Sequence, residues 1–245
     1  MTIGLQLYTI RGEAEKNFLG ALEKVAQMGY KAVEFAGFGG HKASEIKNLL
    51  NKLNLEAIGS HTKLDLLRDD LETQIRFHQD IGAHFIICPF ANMPNRAAVL
   101  ELAALMNRAG KICAKAGIKL CYHNHSHEFQ NIGGEYAMDL FLRETDPEFV
   151  LFEPDVCFIA MAGIDPVVYL EKYGERCSLI HLKEYLPGFK AGVAELGTGD
   201  IDFLRVINTS RTVCKAEALI VEQQYFVSSC LDSSKQNLDY LQGII

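Results

Sequence analysis

The residues best suited to chemistry lie in one short stretch, 122–129, which reads Tyr-His-Asn-His-Ser-His-Glu-Phe. Because alternate side chains of a strand point the same way, His123 and His125 are expected to share one face, with Asn124 turned aside. Neutral imidazole nitrogen binds ions such as Zn, Mn, Co or Fe, and a nearby carboxylate such as Glu128 completes a mixed ligand set. The stretch therefore indicates either a metal or substrate site or a hydrogen-bonded polar network.

Three more ionisable residues directly follow apolar runs: Asp155, His181 and Glu222. At such positions desolvation costs several kcal/mol unless a partner compensates. A divalent ion bound by a residue of the 122–129 stretch together with these three residues would satisfy them all, so the sequence predicts a metal site. Lys183 follows His181 by two residues and should face the same way, where it could pair with a carboxylate or stabilise an oxyanion.

Short apolar runs alternate with segments of helical periodicity along the whole chain, and Gly or Asn marks several helix-to-strand junctions. Strands alternating with helices in this way predict a parallel sheet, and no Pro/Ser/Gly-rich linker divides the series. We therefore predict an α/β fold, a single (β/α)8 TIM barrel that occupies residues 1–245 as one domain. The predicted strands are 3–8, 31–35, 55–60, 84–88, 118–123, 149–154, 178–183 and 218–222.

In a (β/α)8 barrel the chemistry collects at the C-terminal ends of the strands. The sequence meets that condition, because polar or ionisable residues close or follow most of the predicted strands. His41 and His78 are instead expected on solvated surface, and His84 is expected to begin the fourth strand at the opposite rim. The residues expected on the functional rim are Glu34, His61, His123, His125, Glu153, Asp155, His181, Lys183 and Glu222.

Composition limits the classes of partner. The chain has 245 residues, 24 basic and 31 acidic, for a net charge of −7, and no basic stripe. We therefore expect a small-molecule ligand and no nucleic acid. The seven scattered cysteines indicate reduced core thiols. The strand-like start and the lack of an apolar run of about 18 residues predict no leader and no membrane association, hence a cytoplasmic location.

The sequence resembles the sugar phosphate isomerase/epimerase superfamily, the xylose isomerase-like TIM barrels that also include endonuclease IV. The resemblance covers essentially the whole chain. It is strongest in the YHNHxHEF string and the later HLKE, which are specific to a subgroup of sugar isomerase-like proteins. The segments that carry it are 4–11 (GLQLYTIR), 33–35 (VEF), 122–129 (YHNHSHEF), 181–184 (HLKE) and 220–223 (IVEQ).

The ketose epimerases of this superfamily bind a divalent metal through Glu, Asp, His and Glu on strands five to eight. The last three ligands correspond to Asp155, His181 and Glu222. The first does not, because His123 stands where those enzymes have glutamate, with Glu128 five residues later. Either His123 is a ligand and another group acts as base, or Glu128 supplies the carboxylate. Phe158 and Gln224 also depart from the family pattern.

The resemblance implies one divalent metal ion (Mn, Zn, Co, Fe or Mg) and an isomerase or epimerase that acts on a sugar or keto-sugar through an enediolate. Glu222 or Glu128 would be the base, with Lys183 and the metal stabilising negative charge. A lyase that dehydrates a keto-polyol or keto-sugar could use the same site. A non-catalytic sugar-binding barrel and an endonuclease IV-like repair enzyme are less favoured, and a homo-oligomer is possible. Substrate contacts are assigned to Gln6, Glu34, His61, His125 and Glu153.

Overall fold

The computed structural model of the chain describes residues 1–227 and 229–245. Within these residues, eight parallel strands form one sheet, which is the architecture that the sequence predicts. Each bound lies within two residues of the predicted one. The strands are β1 (Thr2–Gln6), β2 (Ala32–Phe35), β3 (Glu56–His61), β4 (Phe85–Cys88), β5 (Lys119–His123), β6 (Val150–Glu153), β7 (Leu179–Leu182) and β8 (Ala218–Val221).

The sheet runs in the order β6-β5-β4-β3-β2-β1-β8-β7, so β6 and β7 are its two ends. These ends meet through isolated parallel bridges, Phe152 with Cys177 and Asp155 with His181. Across the same seam, the backbone N–H of His181 donates to the carbonyl of Pro154 at 2.9 Å. The sheet therefore curls into a nearly closed barrel, and the predicted (β/α)8 fold is confirmed. Two of the predicted metal ligands face each other at the seam.

Helices cover the outside of the barrel. Several end where the sequence predicts, because Gly29, Asn54 and Gly82 adopt positive φ angles of 105°, 50° and 80° and close α2, α3 and α5 before the next strand. The helices are α1 (Arg11–Lys16), α2 (Phe18–Met28), α3 (Ala43–Leu53), α4 (Leu64–Asp69), α5 (Leu71–Ile81), α6 (Arg96–Lys115), α7 (Ala137–Glu144), α8 (Val156–Met161), α9 (Pro166–Tyr173), α10 (Phe203–Thr209) and α11 (Cys230–Ile244).

The apolar core has two parts. A large cluster fills the space between strands and helices, and a smaller one lies inside the barrel. The inner cluster ends below the C-terminal rim, where polar residues replace it. Among the described residues, no helix is both long and apolar enough to cross a membrane. The inner cluster consists of Ala32, Ile58, Phe85, Ile87, Cys121, Leu179, Ala218 and Ile220.

Candidate metal centre and substrate pocket

The pleat of the strands explains why ionisable side chains converge on one point. Residues two apart on a strand point to the same side, so the residue two positions after an inner-core side chain also faces inward. Leu179 is followed in this way by His181, and Ile220 by Glu222. The same relation connects Ala32 to Glu34, Cys121 to His123 and Leu151 to Glu153.

Three of these residues, together with Asp155, form the donor group predicted from the sequence: His123, Asp155, His181 and Glu222. One ligand atom from each lies within 4.8 Å of the others. All four side chains are buried. Asp155 is also the N-cap of α8, where its Oδ1 accepts from the backbone N–H of Cys157 at 2.9 Å. The cap orients the carboxylate and leaves Oδ2 facing the cluster.

A second donor group overlaps the first: His61, His123, Glu153 and His181 also offer atoms within 4.8 Å of one another. His181 connects the two groups. Its Nδ1 lies 3.1 Å from Glu222 Oε2, and its Nε2 lies 3.4 Å from Glu153 Oε2. Glu153 and His61, interpreted from the sequence as substrate contacts, thus also have the geometry of metal ligands. For Glu153, the signal available in the sequence was its position two residues before Asp155.

Glu34 and Gln6 lie beneath this cluster. Gln6 Nε2 donates to Glu34 Oε1 at 2.6 Å, and the same oxygen accepts from His181 Nε2 at 2.8 Å. His61 Nε2 lies 3.1 Å from that oxygen and 3.2 Å from Glu153 Oε2. Gln6, Glu34 and Glu153 are fully buried, so they support the histidines from below the pocket floor.

Lys183 is a fully buried cation beside the first donor group. Its Nζ lies 2.7 Å from Asp155 Oδ2 and 3.2 Å from Glu222 Oε2. The ammonium also lies over the Phe158 ring, 4.4 Å from the centroid. Of the two predicted roles, the ion pair with carboxylates is the one that the structure shows directly.

Burial and the charges of neighbouring residues set the pKa values at the centre. Burial alone would raise the pKa of Glu222, but Lys183 and His181 hold it well below the usual range. Burial would lower the pKa of His181, but Glu153 and Glu34 raise it well above the usual value. Burial raises the pKa of Glu153 to about 8, reinforced by Glu34.

The pKa values of His123 and His125 shift in the opposite direction from that of His61. Burial lowers the pKa of His123 well below its ordinary value, and the positive charge of His181 adds to that effect. Burial likewise lowers the pKa of His125 to about 4, reinforced by Lys183. For His61, Glu34 and Glu153 outweigh burial and raise the pKa to about 9. Burial thus favours the neutral imidazole at His123, which is the form that binds metals.

The residues fit a divalent cation. Several buried atoms have no hydrogen-bond partner in residues 1–227 and 229–245, although such atoms normally find one. Glu153 Oε1, in the second donor group, is one such atom. In the first group, Asp155 Oδ2 and His123 Nδ1 accept no hydrogen bond of their own, and among the described residues each has a single close ionic contact, Asp155 Oδ2 with Lys183 Nζ at 2.7 Å and His123 Nδ1 with Glu153 Oε2 at 3.2 Å. A site with both imidazole nitrogen and carboxylate oxygen donors suits Zn, Mn, Fe or Co better than a site with oxygen donors alone does.

Glu128 does not join the cluster. Its buried carboxylate accepts from the Tyr122 hydroxyl at 2.9 Å and from the backbone N–H of His125 at 2.9 Å. His127 Nδ1 approaches the same carboxylate at 3.2 Å, while its Nε2 bonds to the Ala91 carbonyl at 2.9 Å. These contacts hold the loop after β5 in place. Glu128 therefore stabilises this loop and belongs to neither donor group.

A cavity of about 360 Å³ opens above the cluster, and we call it the substrate pocket. Of the predicted site residues, four line it: His61, His123, His125 and Glu222. The other predicted residues lie below or behind this wall. The remaining lining residues are Tyr8, Ala36, Lys63, Pro89, Phe90 and Gln224.

Sequence reasoning missed Asn124, which joins the ends of β5 and β6. Its side-chain oxygen accepts from the backbone N–H of Asp155 at 3.0 Å, so it positions a predicted metal ligand. Its place between two histidines was the only signal. The prediction for His78 was wrong, because its side chain is fully buried in α5. Its Nδ1 bonds to the Gln74 carbonyl at 2.7 Å, and the ring meets Phe38 edge-on. His84 is exposed and precedes β4 instead of beginning it.

The fold and the site together define a barrel of the xylose isomerase-like class. The family model for the xylose isomerase-like TIM barrel matches residues 22–222. The chain belongs to this family, as the motifs in its sequence indicate.

Two relatives carry the name inosose dehydratase. The protein from Clostridium tetani is 31% identical over an alignment that covers 44% of this chain and 41% of the relative. The protein from Geobacillus kaustophilus is 25% identical, with 66% of this chain and 60% of the relative covered. The matched part thus spans less than two thirds of the length of either relative.

Solved structures show the same fold. A sugar phosphate isomerase/epimerase from Parabacteroides distasonis superposes with a TM-score of 0.87 at 23% identity, covering 98% of this chain and 95% of that one. The IOLI protein, solved with a bound zinc atom, gives a TM-score of 0.76 at 11% identity, covering 100% and 99%. At these identities the likeness establishes the fold alone.

Proposed function

We propose that this protein is a metal-dependent isomerase or epimerase that moves a proton next to the carbonyl of a keto-sugar. One observation carries the proposal: buried nitrogen and carboxylate donors converge within 4.8 Å directly beneath a pocket of sugar size. His123, Asp155, His181 and Glu222 would hold the metal. When bound, a divalent ion polarises a carbonyl and its neighbouring hydroxyl and so acidifies the adjacent C–H. The candidate ions are Mn, Zn, Co, Fe and Mg.

Glu222 is the stronger candidate for the base. It lines the pocket, and Lys183 and His181 keep its pKa low, so that it is ionised at neutral pH and can accept a proton. Gln224 Nε2 donates to Glu222 Oε1 at 3.0 Å and orients the carboxylate. Glu128, the alternative base, is already bonded to Tyr122 and His125 and does not line the pocket.

The other predicted residues would bind the substrate or hold the binding residues in place. His61 and His125 line the pocket and would hold sugar hydroxyls. Glu34 and Glu153 contact His61 from below, and Gln6 holds Glu34. Lys183 contributes positive charge beside Asp155 and Glu222 and would favour the enediolate. Return of the proton to another carbon gives an isomer, and return to the other face gives an epimer.

A dehydratase is the second candidate, favoured by the name of both relatives. Its first step is the same proton removal, but the enediolate then expels hydroxide. The purified protein should be incubated in deuterium oxide with 2-keto and 3-keto sugars. Deuterium incorporation without a new double bond supports isomerisation or epimerisation, whereas an enone absorbance supports the dehydratase. If the metal-loaded protein gives neither signal, both candidate functions are contradicted.

Asp155→Asn tests the metal assignment, because the amide oxygen can retain the helix cap while the anionic oxygen is lost. Asp165→Asn is a matched control, since Asp165 caps α9 through Val167 in the same way. We expect metal analysis to find the ion lost in Asp155→Asn and retained in Asp165→Asn. Equal metal content in both variants and the wild type would contradict the assignment. Retention in Asp155→Asn with loss in Glu153→Gln would place the ion in the second donor group.

The cytoplasmic location, the single domain over 1–245, the lack of nucleic-acid binding and the possible homo-oligomer stay predictions. Gel filtration with light scattering measures the oligomeric state. A salt-sensitive complex with an abasic duplex would contradict the expectation about nucleic acid.

A further inference from the structure

A second cavity lies beside the substrate pocket, and we call it the side cavity. Its volume is about 280 Å³. Tyr8 and Ala36 line both cavities, so the two share a wall. Either volume alone is near the lower limit of about 300 Å³ for ligand pockets. A ligand that passes Tyr8 would use both.

The side cavity has a largely apolar lining. Leu7 and Phe18 are buried, and Phe18 packs against Phe35 with the ring centroids 6.2 Å apart. Gly39 has φ of 61°, and a Cβ at this position would lie 2.7 Å from the Phe18 ring. Glycine therefore lets the loop after β2 close against Phe18 and complete the wall.

Arg11 holds the shared wall in place. Its guanidinium lies over the Tyr8 ring at 4.5 Å, and its Nη1 donates to the Tyr8 carbonyl at 3.0 Å. Its Nη2 donates to the carbonyl of Gln224 at 2.9 Å, and Gln224 in turn contacts Glu222. The shared wall is therefore connected, through Gln224, to Glu222, the proposed base.

The charges around the side cavity indicate what kind of group it accepts. Arg11 and Glu15 both line it, so one cation and one anion balance each other. The remaining lining residues are apolar or aromatic, or are glycines. This surface suits an uncharged ring, whose face or edge can lie against the Tyr8 side chain, itself 44% exposed.

We propose that the side cavity binds an uncharged, largely apolar ring carried as a substituent on the substrate. This rests on the proposed function, because the reacting sugar must occupy the neighbouring pocket beside Glu222. The substrate class is then keto-sugars that bear a ring substituent, in preference to bare monosaccharides. Binding the ring away from the reacting carbons supplies energy that can be used to orient them.

Ala14→Leu tests the side cavity directly. Ala14 lines the side cavity but not the substrate pocket, so a leucine would fill only the former. Ala43→Leu is the matched control, because Ala43 is also a half-buried helical alanine but lines neither cavity. Circular dichroism should show that both variants are folded.

The first measurement is calorimetric titration with phenyl β-glucoside, which has no ketone and cannot react. We expect Ala14→Leu to weaken its binding by about tenfold, equivalent to about 1.4 kcal/mol, and Ala43→Leu to leave it unchanged. Failure of the compound to bind the wild type, or equal binding to wild type and Ala14→Leu, overturns the proposal.

The second measurement is deuterium exchange with a keto-hexose and with the same keto-hexose bearing an O-phenyl group. Ala14→Leu should lower kcat/KM about tenfold for the phenyl compound and less than twofold for the free sugar. Equal loss for both compounds overturns the side-cavity proposal. Lack of exchange with either compound in the wild type counts against the proposed reaction, while the titration still decides the side cavity.

Discussion

Two layers of the barrel interior use the same strands and the same inward face, yet differ in chemistry. The inner apolar cluster contains Leu179 and Ile220, and one pleat further along lie His181 and Glu222. Burial does not distinguish the layers, because Leu179 and His181 are both fully buried and Glu222 is 4% exposed. The difference is that the upper layer places opposite charges within contact distance of one another.

This comparison shows what each layer contributes. The lower layer stabilises the barrel by removing apolar surface from water, and any well-packed hydrophobe would serve there. The upper layer is costly to bury, and its members depend on one another for compensation. Such a layer is weak evidence for stability and strong evidence for a site.

The largest expected effect comes from His181→Ala in the upper layer. Because His181 belongs to both donor groups, its loss should remove the metal and lower kcat by roughly 10³-fold or more. Metal analysis and the exchange assay on the same preparation check this. Normal metal content with a large loss of activity would show that His181 acts without binding the ion.

Leu179→Ala makes the corresponding change in the lower layer. Removing a buried leucine and leaving a cavity should reduce the free energy of unfolding by about 2–5 kcal/mol. Metal content and kcat should stay close to wild type at a temperature where the variant is folded. Denaturant unfolding measures the stability, and loss of metal in the folded variant would show that the layers are not separable.

Lys183→Met keeps the volume of the side chain but removes its charge. We expect kcat to fall about 10²-fold, since the cation beside Asp155 and Glu222 no longer offsets developing negative charge. KM should change much less. Exchange kinetics provide the measurement, with Lys235→Met, an exposed helix cation paired with Asp239, as the control. Unchanged kcat would confine Lys183 to a structural role.

The smallest expected effect is on the pH dependence of stability and comes from His78. This histidine shows what burial does to a pKa when no carboxylate is nearby. Burial lowers its pKa to about 4, so between pH 6.5 and 4 the unfolded state binds more protons than the folded state. Stability should therefore fall as pH falls through this window, by about 1.4 kcal/mol per unit. The free energy of unfolding of wild type minus that of His78→Phe, measured at pH 7, 6 and 5, should therefore decrease as pH falls. A difference that stays constant with pH would contradict the prediction.

Much of the barrel could be read from the sequence because its signals are local. Apolar runs predict strands, and residues such as Gly29 and Asn54 mark helix ends through their tolerance of positive φ. The rim location of Asp155, His181 and Glu222 follows from their position after those runs. His78 was misjudged because helical periodicity does not reveal which face a neighbouring ring such as Phe38 covers.

The sequence by itself determined the strand order along the chain, the rim that carries the ionisable groups and the family. Those properties depend on periodicity and on motifs of adjacent residues. Only the tertiary structure decided which groups meet. It brought Glu153 and His61 among the donors, bonded Glu128 to Tyr122 away from them, and set the side cavity beside the pocket. These outcomes depend on distances between strands far apart in the chain, which closure of the barrel fixes and no local pattern records.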